Sequence, residues 1–157
     1  MTPCLKIAQK AGIAYQLHEY VHDPSRESYG AEAAEKLGVP EERLFKTLIV
    51  SLDSRDLVVG LVPVSSMLNM KRIAKAAGAK KAGMAAAADV ERSTGYVPGG
   101  VSPLGQKKRL KTIIDSSAQN FSTIYVSAGR RGLQIELSPD DLRKLTSGVF
   151  ASICQER

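Results

Sequence analysis

The chain has 157 residues, a length that fits one domain of about 100–200 residues. Hydrophobic residues make up 43% and charged residues 24%, so a core forms without disulfide or metal staples and a wholly disordered chain is excluded. No apolar run approaches the roughly 18 residues of a membrane helix, and Met1-Thr2-Pro3-Cys4-Leu5-Lys6 lacks the apolar segment of a secretory leader. The expectation is a cytoplasmic protein with no membrane partner, formed by one domain over residues 1–157. Cys4 and Cys154 lie far apart without CxxC spacing, which indicates reduced thiols rather than a zinc site or disulfide framework.

Charge is unevenly distributed. Residues 1–70 carry 7 basic and 9 acidic side chains, residues 71–131 carry 12 and 3, and residues 132–157 carry 3 and 4. The basic middle third includes Lys71, Arg72, Lys75, Lys107, Lys108, Arg130 and Arg131, and a polyanion is its natural partner, nucleic acid foremost, because Lys and Arg on phosphates release counterions. A solubilising surface is the plainer alternative for any one cluster. Aromatic residues at 5%, with no Trp, leave little stock for base-stacking platforms.

Thr2, Pro3 and Gly12 frame a first helix over Pro3–Ala11, and Ala14–Val21 alternates as a strand. Helix formers fill Ala31–Leu37 before Gly38. Leu44–Val50 and Leu57–Val62 read as strands joined by the turn Asp53-Ser54-Arg55-Asp56. Asn69 caps a helix over Met70–Ala77 that places Lys71, Arg72 and Lys75 on neighbouring positions before Gly78. Another helix covers Ala86–Ser93, and Gly95–Gly105 is too rich in Gly and Pro for a regular element. Strands follow at Lys111–Ile114, Thr123–Ser127 and Leu133–Leu137. Ser138-Pro139-Asp140-Asp141 then starts a helix, and a strand near Phe150–Ile153 ends the chain. The irregular interleaving and short strand connections predict a mixed α/β fold with a largely antiparallel sheet wrapped by helices.

Nucleotide loops, HExxH and the GxSxG elbow are all absent from the sequence, so no cofactor is expected. His18 and His22 are four apart, but Pro24 and the alternating pattern argue against the helix that would let them share a metal. Cys4 near a helix start has no base beside it in sequence.

Two features resist a purely structural explanation. Lys46 interrupts an apolar strand on the face of Leu44, Leu48 and Val50, where it must meet an acid, reach solvent or contact a ligand. The loop Gly95–Gly105, with four glycines and two prolines, offers backbone N–H groups with little bulk, suited to close approach and to holding a carbonyl or oxyanion.

The segments Glu32-Ala33-Ala34-Glu35-Lys36-Leu37-Gly38, Phe45-Lys46-Thr47-Leu48, Ser93-Thr94-Gly95-Tyr96, Gly99-Gly100-Val101-Ser102-Pro103-Leu104-Gly105-Gln106-Lys107-Lys108 and Tyr125-Val126-Ser127-Ala128-Gly129 together resemble the YbaK/ProX family of trans-editing aminoacyl-tRNA deacylases, over nearly the whole chain. Within it the match is to the YbaK type, which clears cysteine from tRNA(Pro). The resemblance implies a fold related to the editing domain of bacterial prolyl-tRNA synthetases and hydrolysis of the ester between a wrong amino acid and tRNA. Prolyl-tRNA synthetase is an implied partner. The family's strand lysine corresponds to Lys46 and its GxxxP loop to Gly99–Pro103, which makes Lys46, Gly99 and Gly100 the catalytic candidates. Tyr20, Tyr29, Thr47, Ser102 and Pro103 are the substrate-binding candidates, with Tyr29 standing where relatives often carry phenylalanine. Gln134 and Glu136 are what this chain offers where relatives place acidic help. Candidate tRNA contacts are Lys71, Arg72, Lys75, Lys107, Lys108 and Arg130. The YbaK type needs no protein nucleophile or metal, because the substrate's thiol attacks its own carbonyl. Two alternatives stay open: an Ala-tRNA(Pro) deacylase using activated water, and a noncatalytic RNA-binding or synthetase-docking module.

Overall fold

A computed structural model describes residues 1–156. Helix α1 spans Pro3–Ala11, with the Thr2 side chain accepting from Leu5 N–H and Gly12 closing the helix in the left-handed region, as the local capping signals predict. Helix α2 runs Tyr29–Leu37, two residues longer at its start than propensity suggests. Helices α3 (Met70–Ala77, capped by Asn69), α4 (Ala87–Thr94) and α5 (Pro139–Thr146, capped by Ser138) follow.

The strands are β1 (Tyr15–Glu19), β2 (Phe45–Leu52), β3 (Asp56–Pro63), β4 (Ala82–Met84), β5 (Lys111–Asp115), β6 (Ile124–Arg130), β7 (Leu133–Leu137) and β8 (Val149–Ala151). They form two sheets, of order β1-β7-β6 and β4-β2-β3-β5-β8, rather than one. The small sheet is antiparallel; in the larger, β5 runs parallel to both β3 and β8. Two elements are not legible in the sequence: β4, too poor in β-branched residues to signal a strand, and a 3-10 turn over Ser116–Asn120.

The layers follow from strand alternation. Phe45, Ile49, Val59 and Leu61 of the larger sheet meet Ile124, Val126 and Ile135 of the smaller in one buried cluster. The opposite face of the larger sheet, with Val50, Val58 and Val62, packs on Ile73 of α3. Beyond the small sheet, Ala33 and Ala34 of α2 pack on Leu44 and Tyr125. Both faces of β2 are therefore covered, which explains its near-continuous apolar run.

The sheets are stitched together just before β2. Tyr125 N–H donates to the Arg43 carbonyl at 3.1 Å and Val64 N–H to the Leu44 carbonyl at 2.8 Å. Lys46 and Thr47 follow this junction directly.

Candidate active site

At the junction lies a cavity of about 280 Å³, near the lower end of the roughly 300–1,000 Å³ of small-molecule sites. The first turn of α2 supplies Tyr29 and Gly30, the start of β2 supplies Lys46 and Thr47, the long loop supplies Gly99 and Val101, and the small sheet supplies Ser127 and Gln134. Ser127 and Gln134 are direct cross-strand partners. Tyr20, leaving β1, completes the lining; its N–H donates to the Gly132 carbonyl at 3.0 Å, and burial raises its phenol pKa above the ordinary value.

The wall is largely apolar, with a few polar groups set into it and no acid. No carboxylate, thiol or imidazole lines the cavity, and among the described residues no carboxylate lies within 4 Å of the Lys46 ammonium. Thr47 Oγ1 and Gln134 Oε1 are buried with no hydrogen-bond partner. Because buried polar atoms without partners are costly and uncommon, these two mark where a polar ligand group would sit.

The long loop is pinned rather than floppy. Tyr96 O–H donates to the Leu104 carbonyl at 2.6 Å and Leu104 N–H donates to Ser102 Oγ at 3.2 Å. Gly100 N–H donates to the Val97 carbonyl, and a Cβ at Gly100 would stand 2.9 Å from Arg130 Cα, so the loop is docked on the turn between β6 and β7. Gly99, at φ +85°, lies against Arg131 and Tyr29.

A charged chain runs along the rim beside Gly99. The Arg131 guanidinium lies 3.6 Å from the Tyr29 ring centroid, and its NH1 is 2.8 Å from His22 Nε2. A guanidinium only donates, so Nε2 accepts and His22 Nδ1–H donates to Glu32 Oε1, 2.6 Å away. Glu32 is fully buried. Burial alone would raise its carboxyl, but hydrogen bonds from His22, Asp23 N–H and Lys36 outweigh it and hold the pKa at about 2.

Of the sequence-predicted residues, Lys46, Gly99, Tyr20, Tyr29 and Thr47 converge on the cavity. Three others do not. Gly100 has its N–H committed to Val97; Ser102 is fully buried in the loop's own hydrogen bonds; and Pro103 lines a separate hollow with Ile7 and Lys108. Cys4 is buried nearby, and burial pushes its thiol up to about 11, with Ser102 opposing the shift. Burial, reinforced by neighbouring Asp115, pushes Cys154 up to about 12. Both thiols are therefore protonated at neutral pH.

None of the six candidate tRNA contacts lines the cavity. Lys71, Arg72 and Lys75 lie on α3, where Arg72 pairs with Glu156 at 2.6 Å. Lys107 and Lys108 donate their backbone N–H groups to Thr94 and Ser93 at the end of α4. Arg130 is exposed and pairs with Glu19 at 3.5 Å. The two histidines diverge: His18 meets Glu136 while His22 meets Glu32. Glu136 shares a strand face with Gln134 but is engaged by Arg43, Thr123 and His18, and only Gln134 lines the cavity. The arrangement of Gln134, His22, Glu32 and Arg131 is not written in their residue types; it emerges once residues more than a hundred positions apart are neighbours.

Three comparisons agree with this architecture. A protein from Enterococcus faecalis, EbsC, named as a candidate Cys-tRNA(Pro)/Cys-tRNA(Cys) deacylase, is 40% identical over 97% of this chain and 92% of its own length. A proline–tRNA ligase from Trichlorobacter lovleyi is 30% identical over 76% of this chain, which corresponds to only 21% of the ligase. A crystal structure described as that of a candidate trans-editing enzyme for prolyl-tRNA synthetase superposes with a TM-score of 0.84 over 99% of both chains; at 19% identity this shows the fold alone. No helix among the described residues is long and apolar enough to cross a membrane. The family model of the aminoacyl-tRNA editing domain matches residues 23–145, a span that includes all the cavity residues but Tyr20, and the chain belongs to that family.

Proposed function

We propose that this protein deacylates mischarged tRNA, with Cys-tRNA(Pro) as its substrate and the substrate's thiol as nucleophile. The observation that carries the reading is a small cavity with a lysine, two unpartnered polar oxygens and no nucleophile–base pair in its wall. An ester bound there meets hydroxyls but no imidazole or carboxylate to activate them. The cysteinyl group supplies its own attacking atom. Sulfur bonds to the carbonyl carbon, the bond from that carbon to the ribose oxygen breaks, and the thiol proton ends on that oxygen, releasing the tRNA and a thiolactone that water opens.

The residues hold the ester in place for this step. Gly99 and Val101 line the cavity and their N–H groups meet no protein acceptor among the described residues, so they are the loop's donors to the ester carbonyl. Thr47 Oγ1 and Gln134 Oε1 accept from the α-ammonium. Lys46, in the cavity wall, faces the terminal ribose. Such positioning accounts for large rate gains without a catalytic base. Lys71, Arg72, Lys75, Lys107, Lys108 and Arg130 are proposed to hold tRNA further from the ester. Prolyl-tRNA synthetase as a docking partner and a cytoplasmic site of action follow from the substrate.

The test follows ester loss from Cys-tRNA(Pro) and Ala-tRNA(Pro), with and without prolyl-tRNA synthetase, for wild type, Lys46→Ala and Lys46→Arg. Rapid loss of the cysteinyl ester, abolished by Lys46→Ala and reduced by Lys46→Arg because a planar fork replaces a compact ammonium, supports the reading. Preference for the alanyl ester supports the water-based alternative, and binding without ester loss supports the noncatalytic one.

A further inference from the structure

Adjacent arginines at the turn between β6 and β7 are handled differently. Arg130 is exposed and pairs with Glu19, whereas half-buried Arg131 has no carboxylate within 4 Å among the described residues. Three other half-buried arginines are neutralised directly, Arg26 by Glu35 at 3.3 Å, Arg43 by Glu136 at 3.1 Å and Arg72 by Glu156 at 2.6 Å, while Arg143 on α5, remote from the cavity, has no carboxylate within 4 Å among the described residues. Arg131 instead rests on the Tyr29 ring and gives one N–H to His22. We infer that Arg131 binds the phosphodiester joining the esterified terminal nucleoside to the rest of the tRNA, and that His22 is the residue positioning it; this rests on the deacylase reading above.

Three observations carry the assignment. First, a guanidinium stacked on an aromatic face keeps its remaining N–H groups in one plane, the geometry that matches two phosphate oxygens. Second, the acid that would neutralise Arg131 is kept one imidazole away. Glu32 is occupied by His22 Nδ1 at 2.6 Å, Asp23 N–H at 2.8 Å and Lys36 Nζ at 3.0 Å, so it fixes the histidine tautomer while leaving the arginine's charge uncompensated. Third, the location fits. Tyr29 and Gly99 both line the cavity, and a Cβ at Gly99 would lie 2.6 Å from Arg131 Nε, so glycine is what admits the guanidinium to the rim. A cavity of about 280 Å³ takes an aminoacyl ester but not the nucleotide behind it, and the phosphate remains at that rim.

The two hydrogen bonds of His22 can be separated. In His22→Gln the amide oxygen reaches the place of Nε2 and accepts from Arg131, but nothing donates in the place of Nδ1. In His22→Asn the amide N–H replaces Nδ1 toward Glu32 and Arg131 loses its acceptor. A positioning role predicts that Gln preserves activity and Asn does not; a role confined to satisfying Glu32 predicts the reverse.

The experiment compares kcat/KM on Cys-tRNA(Pro) with that on 3′-O-cysteinyl-adenosine, which has the ester but no phosphate, for wild type, Arg131→Gln, His22→Gln and His22→Asn. Arg131→Gln and His22→Asn should lower the tRNA-to-nucleoside ratio by about 10- to 100-fold, mainly through KM, as expected for loss of a charged hydrogen-bond partner. Arg131→Gln should also flatten the slope of log affinity for uncharged tRNA against log salt by about 0.7. Equal losses on both esters, an unchanged salt slope, or rescue by Asn rather than Gln would overturn the assignment. A wild type that cleaves neither ester would overturn the deacylase reading instead, and the salt slope of Arg131→Gln would still decide the phosphate contact.

Discussion

Thr47 and Gln134 reach one cavity from different sheets, and the Oγ1 of the first and Oε1 of the second are both buried without a partner. Removing such an oxygen costs folding nothing, because no internal hydrogen bond goes with it. Thr47→Val is therefore expected to leave stability unchanged or raise it by up to about 1 kcal/mol while deacylation falls. Paired denaturation curves and ester-loss rates check this; a variant less stable than wild type with normal activity contradicts it.

The adjacent glycines should fail in different ways. Gly100→Ala places a methyl 2.9 Å from the Arg130 backbone, which cannot rotate aside, and should destabilise the fold by about 1–3 kcal/mol. Gly99→Ala meets side-chain atoms, Arg131 Nε at 2.6 Å and the edge of the Tyr29 ring at 2.9 Å, rather than backbone. Its main effect should be on activity, with about 1–2 kcal/mol of backbone strain from its positive φ. Thermal melts and kcat/KM for the two variants separate loop docking from site geometry.

Glu32 makes stability depend on pH in a stated direction. Its folded pKa, about 2, lies below the ordinary 4.5, so its contribution is fully present above pH 4.5 and is lost as pH falls toward 2. The stability gap between wild type and Glu32→Gln, measured by chemical denaturation, should therefore shrink as pH is lowered through this window. A gap that is constant from pH 6 to pH 3 would show that the carboxylate's charge is not what holds the rim.

Replacing Lys71, Arg72 and Lys75 together by alanine removes charge from α3 without touching Ile73 or Ala74, the residues α3 buries. The Arg72–Glu156 pair that disappears with them is a surface ion pair worth about 0–1 kcal/mol. The melting temperature should hardly change, while the salt dependence of tRNA binding flattens by about 0.7–0.9 for each phosphate no longer neutralised. An unchanged slope returns these residues to an ordinary solvated face.

The parts of the fold legible in the sequence are those written locally. Thr2 with Gly12, Asn69 with Gly78, and Ser138 with Pro139 mark helix ends by capping chemistry, and the structure keeps them. Strand β4 is legible nowhere, because Ala82-Gly83-Met84 becomes a strand only by pairing with Val50–Leu52. The division into two sheets likewise depends on distant partners. In the site, Lys46 stands out because it breaks an apolar strand, and the glycine loop because of its composition. Nothing local marks Glu32 as a buried residue: it sits four positions before Lys36 in a run of helix formers, yet it is fully buried in the structure. Arg131 is one more cation in a basic stretch until the fold sets it over Tyr29.

That the substrate provides the nucleophile is tested most directly with purified protein on two esters. Cys-tRNA(Pro) and Ser-tRNA(Pro) differ at one atom, and a hydroxyl is barely ionised at neutral pH. The expected result is rapid loss of the cysteinyl ester and much slower loss of the seryl ester, with Cys4→Ala and Cys154→Ala both active because their thiols are held protonated. Equal rates on the two esters, or loss of cysteinyl deacylation in either folded cysteine variant, would contradict it.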